Sequence, residues 1–164
     1  MDIRRANIDD LRKIQELNNE LFDLELNSCD YTLVKDWPLS IDGEEYFKDL
    51  ILKDYVYVCV FEGIIVGYLA GSIVDVSYIK NKYAEVNNMC VSDKCRGKGV
   101  GHLLLEAFKS DVKDLGIMEL RVTASSKNSN ARSFYERNDY KEFEVTYRME
   151  LWYILIGWRY EKRF

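Results

Sequence analysis

Residues 88–105 read NMCVSDKCRGKGVGHLLL. An apolar strand end gives way to a polar loop, glycines fall at 97, 99 and 101 between the basic residues Arg96 and Lys98, and a strongly apolar helix follows at once. Three bare positions beside a helix start serve backbone, not side chains: they let a ligand come close to the main chain. The first N–H groups of a helix have no intrahelical acceptor, and the helix dipole favours negative charge there. The stretch therefore predicts an anion cradle, with a ligand-free glycine turn as the bland alternative. Two other phosphate-binding patterns fail. A dinucleotide fingerprint, G-x-G-x-x-G, would need glycine where His102 stands, and a P-loop would need Ser or Thr after Lys98.

Outward from the loop, the chain alternates elements. Asp2 to Ala6 suits a first strand, and Leu11, Ile14, Leu17, Leu21 and Phe22 keep helical spacing over Asp10 to Leu26. A connector holding the single proline leads to a second helix over Glu44 to Lys53. Residues 55–76 read as a β-hairpin turning at Glu62-Gly63, and Tyr83 to Val91 as a further strand. After the glycine loop an apolar helical stripe runs from Val100 to Leu115, closed by Gly116. MELRVTA is then a strand, NSNARSFYERN a short helix, and EVTYRMELWYILI a long closing strand or hairpin arm. This order predicts one α/β (mixed α+β) domain over residues 1–151, with a twisted mixed sheet of six or seven strands and about four flanking helices. Asn87 and Asn88 are poor β-formers inside a central strand, which predicts a bulge lining a polar cleft.

Composition narrows the function. The 164 residues are 48% hydrophobic and 31% charged, a globular balance, and the net charge of −5 disfavours nucleic acid as a partner. No apolar run reaches the roughly 20 residues that span a bilayer, and the N-terminus lacks a signal-like apolar stretch. A cytoplasmic location and no membrane association are expected. One histidine and four cysteines without a C-x-x-C pair predict no metal site and buried structural thiols.

The pattern V-x(4)-R-G-x-G-x-G before an amphipathic helix resembles the acetyl-CoA signature of the GNAT superfamily of N-acetyltransferases. NSNARSFYERNDYKEF is similar to that family's N-x-x-A-x-x-x-Y-E-x-x-G-F helix, in the right order and one strand later. Asp139-Tyr140 replaces the usual Gly-Phe; Asp tolerates the left-handed conformation that Gly supplies. The resemblance covers residues 2–150 and implies the family's twisted sheet, with the strands around Glu85 to Val91 and Met118 to Ala124 parting at their ends. It also implies acetyl-CoA as co-substrate. Its cofactor set falls on Met89, Cys90, Val91, Arg96, Gly97, Lys98, Gly99, Val100, Gly101, His102, Asn128, Ala131 and Tyr135.

Acyl transfer from a thioester to an amine needs a base, because an amine of pKa about 10 arrives protonated. It also needs an oxyanion donor and an acid for the departing thiolate. By resemblance, Glu85, six residues before Val91, is the candidate base; an ordinary strand-edge glutamate is its bland alternative. The Val91 N–H is the oxyanion donor and Tyr135 the general acid, with Asn128 on the cofactor arm. Cys90 has no evident neighbouring base to make it a nucleophile, so direct transfer is expected.

The acceptor, a small amine, polyamine or peptide amine, is written least clearly. The acidic run FDLELNSCDY suits a cation, or is a solvated helix end. Residues 152–164, WYILIGWRYEKRF, are too apolar to lie in solvent and are expected to add a strand, to the same sheet or across a homodimer interface. A catalytically silent acyl-CoA sensor is the alternative function on the same fold, and a nucleotide-binding protein a more distant one.

Overall fold

The computed structural model describes residues 1–53 and 55–151. Strands β1 (Asp2–Arg5), β2 (Val56–Phe61), β3 (Ile64–Val74), β4 (Tyr83–Val91) and β5 (Leu120–Val122) lie in that order in one sheet. The first three pairings are antiparallel and β4–β5 is parallel, so the sheet is mixed as expected. Helices α1 (Leu11–Ser28), α2 (Ile41–Leu52), α3 (Val100–Asp114) and α4 (Ser129–Arg137) flank it.

Local chemistry sets the boundaries. Asn7 and Asp10 form a reciprocal capping box before α1, and the Ser40 hydroxyl caps α2 by accepting from the Gly43 N–H. The β2–β3 turn places Glu62 at φ 51° and Gly63 at φ 77°, the two left-handed residues that a type I′ hairpin requires. Two apolar layers cover the sheet. One joins Ile14 and Leu17 of α1 and Phe47 of α2 to Val58, Tyr68 and Cys90; the other joins Leu104, Phe108 and Val112 of α3 to Leu69, Ala84 and Val86.

The bulge expected in β4 is present. Ala70 pairs with Asn88 and Gly71 with Val86, which leaves Asn87 as the extra residue. Before it, Ala84 and Val86 face α3; after it, Met89 and Val91 do. Glu85 and Cys90 thus point to the α1/α2 face, Cys90 inside that core and Glu85 within electrostatic reach of Tyr46 on α2.

The strand count differs from six or seven: the described residues hold five. The expected closing strand begins at Glu144, but residues 141–150 carry no regular secondary structure. Val145, Tyr147 and Met149 alternate as a strand would, yet all three are exposed. Ion pairs hold this segment instead, Arg132 to Glu142 at 2.7 Å and Arg148 to Asp30 at 3.1 Å. The tail over 152–164 lies outside the described residues.

Candidate active site

β4 and β5 pair only through Ala84–Val86 and Leu120–Val122; from Asn87 onward β4 has no β5 neighbour. The Ser92 N–H bonds the Val66 carbonyl at 2.9 Å. By the alternation of an antiparallel pair, the N–H groups of Met89 and Val91 then point away from β3, into the gap that β5 leaves. This is the parting of strands that the resemblance implied, and it leaves strand backbone open to a ligand.

A cleft of about 730 Å³ opens there, bounded by the last turns of α1, the end of β4, the glycine loop with the start of α3, and α4. The loop turns through Gly97 at φ 73° and Gly99 at φ 83°, conformations that cost a residue with a Cβ on the order of 1–2 kcal/mol. No heavy atom lies within 4 Å of where a Cβ would stand on either, so the cradle is open. The first intrahelical bond of α3 runs from the Leu103 N–H to the Gly99 carbonyl at 3.0 Å. The N–H groups of Val100, Gly101 and His102 are consequently left without an intrahelical acceptor, on three residues that line the cleft. Gly101 serves packing instead. A Cβ there would stand 3.1 Å from the Phe134 ring, so its absence lets α4 approach α3. His102 Nδ1 and Asn138 Oδ1, 2.7 Å apart, tie the same two helices.

Of the expected cofactor residues, Met89, Val91, Arg96, Gly97, Gly99, Val100, Gly101, His102, Asn128, Ala131 and Tyr135 line this cleft. Arg96 is held at its rim, its Nε donating to the Val91 carbonyl at 3.0 Å and its guanidinium pairing with Asp93 at 2.6 Å. Asn128 caps α4, its Oδ1 accepting from the Ala131 N–H at 3.0 Å. Lys98 is exposed outside the lining, where Lys127 stands instead. Cys90 lies behind the strand, and burial pushes its thiol up to about 11.

Tyr135 projects from α4, its ring edge-on to Phe134 at 5.2 Å and to Tyr140 at 5.4 Å. Burial raises its hydroxyl pKa well above the ordinary tyrosine value, with Tyr140 and Glu25 adding to it. Such a hydroxyl keeps its proton at neutral pH and has one to give. Glu85 does not line the cleft. It sits on the opposite face of β4, upstream of the bulge, where Asn88 donates to the Tyr46 hydroxyl at 2.9 Å. A base there reaches the gap only past or through the sheet edge. Sequence reasoning missed Glu25 of α1, which lines the cleft and whose carboxyl pKa is raised by burial and by Asp30. The signal was available: Glu25 lies four and seven residues beyond Leu21 and Asn18, on the inward stripe of α1.

A family model for the acetyltransferase (GNAT) domain matches residues 53–142, more than half of the chain. The chain belongs to the GNAT acetyltransferases. This GNAT chain is 27% identical over 103 residues to an uncharacterized N-acetyltransferase of Chlorobaculum tepidum, an alignment covering 63% of this chain and 56% of that one. It spans about half the length of the curated relatives it matches. Solved structures share the fold. A Bacillus halodurans protein crystallised as a mutant superposes with a TM-score of 0.77 at 21% identity, over 92% of this chain and 99% of that one. A predicted acetyltransferase of Clostridium acetobutylicum, solved with acetyl-CoA, gives 0.73 at 14% identity over 92% and 96%. Among the described residues of this GNAT chain no helix is long and apolar enough to cross a membrane, and no group of His, Cys, Asp and Glu is placed to hold a metal.

Proposed function

We propose that the protein transfers acetyl from acetyl-CoA to a primary amine by direct attack, without an acetyl-enzyme. The observation that carries this is the cleft itself: the left-handed Gly97 and Gly99 and the open α3 N-terminus share one cavity with the half-buried Tyr135. The acetyl-CoA complex of a protein with the same fold supports the choice of donor. The residues fit an anionic cofactor: backbone N–H groups of Val100 to His102 would hold its pyrophosphate, with Arg96 and Lys127 adding field. The freed backbone of Met89 and Val91 suits its amide-bearing arm, and the Val91 N–H would take charge building on the thioester oxygen.

The thioester supplies an activated acyl group. The amine nitrogen forms the new C–N bond as the C–S bond breaks; one proton leaves nitrogen and another must reach sulfur. Tyr135 gives its proton to the departing sulfur. Glu85 is proposed to take the amine proton, and its position across the strand makes a water relay the natural route. Cys90 is kept out by burial and by a thiol held protonated. The test is thiol release from acetyl-CoA against a panel of amines, with Tyr135→Phe beside wild type. Loss of the acid should lower kcat by roughly 100- to 10,000-fold and leave the acetyl-CoA Kd unchanged. A protein that binds acetyl-CoA but acetylates no amine would favour the silent sensor.

A further inference from the structure

The charges lining the cleft are segregated. Arg96, Lys127 and Arg137 stand along the glycine loop, the turn before α4 and α4 itself, on the side suited to phosphates. Among the described residues Glu25 is the one carboxylate in the lining, and it stands opposite, near the carboxyl end of α1. Its side chain is partly buried and makes no hydrogen bond or ion pair among the described residues, whereas neighbouring Asp30 is engaged by Thr32 and Arg148. A half-desolvated carboxylate without a partner is costly, and a cationic guest removes the cost. The end of α1 adds to this, because the C-terminal pole of a helix also favours a cation. Burial, with Asp30 nearby, raises the Glu25 carboxyl above its usual value, and a cation bound beside it would draw it back down.

We propose that Glu25 recognises the acceptor, binding an ammonium group across the cleft from Tyr135 and selecting cationic over neutral substrates. The inference rests on the acetyl-transfer reading and deepens it. It assigns the two ends of one cleft to two charges: the polyanionic donor to the glycine loop, and an amine or polyamine to the end of α1. The reacting nitrogen must lose its proton, so in a diamine or polyamine Glu25 would hold a second nitrogen that stays protonated.

Calorimetric titration of the CoA-loaded protein with 1,4-diaminobutane and spermidine, and with 1,4-butanediol as the neutral comparison, tests it without requiring turnover. The amines should bind and the diol should not. Glu25→Gln, which keeps shape and removes charge, should weaken amine binding by roughly tenfold or more, the size of one charge-assisted hydrogen bond. Glu25→Asp should recover part of it, and both variants should bind CoA like wild type. Equal amine binding by Glu25→Gln, or no amine binding to the CoA-loaded wild type, overturns the proposal. Failure of wild type to bind CoA at all would instead strike the acetyl-transfer reading and take this proposal with it.

Discussion

Gly99→Ala, read beside Gly63→Ala, separates what the glycine loop does for the fold from what it does for a ligand. Both glycines are left-handed, at φ 83° and 77°, and a Cβ on either meets no heavy atom within 4 Å. Each alanine should therefore carry a similar backbone strain of about 1–2 kcal/mol. In a chain of this size that lowers Tm by roughly 2–4 °C per kcal/mol. The two sites differ in one respect: Gly63 turns a hairpin, whereas Gly99 forms the wall of the cleft directly before the free N–H groups of α3. An oxygen bonded to a backbone N–H sits at about 2.9 Å, while a methyl carbon needs about 3.5–4.0 Å from its neighbours. A methyl on that wall should displace the anion from at least one donor, and a charge-assisted hydrogen bond is worth about 1.5–3 kcal/mol. The expected loss in CoA affinity is therefore roughly ten- to a hundredfold for Gly99→Ala, and none for Gly63→Ala. Calorimetry gives the affinities and thermal denaturation the strain. Equal Tm losses with unchanged CoA binding in both variants would refute the cradle.

Two further outcomes follow from the buried groups. Cys90→Ala should keep most of its turnover with any accepted amine, because a thiol pushed up to about 11 is not a nucleophile at neutral pH; an inactive but folded variant would point to an acetyl-cysteine. Asp10, 6% exposed, accepts two bonds from Arg4, at 2.7 and 2.9 Å, which hold its carboxyl below the ordinary aspartate value. A depressed folded pKa stabilises the protein above the unfolded aspartate value, about 3.9, and the gain is lost as pH falls through the folded value. Asp10→Asn should thus lower stability at pH 7 by about 1–3 kcal/mol and narrow its gap to wild type in denaturation curves below pH 4.

Local rules make much of this fold legible in the sequence. The left-handed glycine turn before α3 can be read because that glycine spacing ahead of an apolar helix serves the backbone, and Asn87-Asn88 announces the bulge because asparagine is a poor strand former. Three things cannot be read, each for its own reason. Val145, Tyr147 and Met149 alternate like a strand, but alternation only permits one; an edge must accept it, and the three-residue β5 offers little. Cys90 falls with the cofactor set by its neighbours in sequence, whereas its side chain packs with Tyr68 behind the strand. Glu25 sits inside an acidic run; its spacing from Asn18 and Leu21 puts it on the inward stripe of α1, but that the stripe ends over a cleft shows only in the packed structure.

The extra residue at Asn87 has a consequence for how this protein can change. In an unbroken strand, inserting or losing one residue exchanges the faces of everything beyond it. Here the count is reset midway, so the segment over 83–86 and the segment over 88–91 answer to separate neighbours. The first can trade side chains on its α1/α2 face, while the second goes on presenting Met89 and Val91 to the cleft. A strand divided in this way lets one layer of the sheet be repacked without turning the other segment away from the cleft.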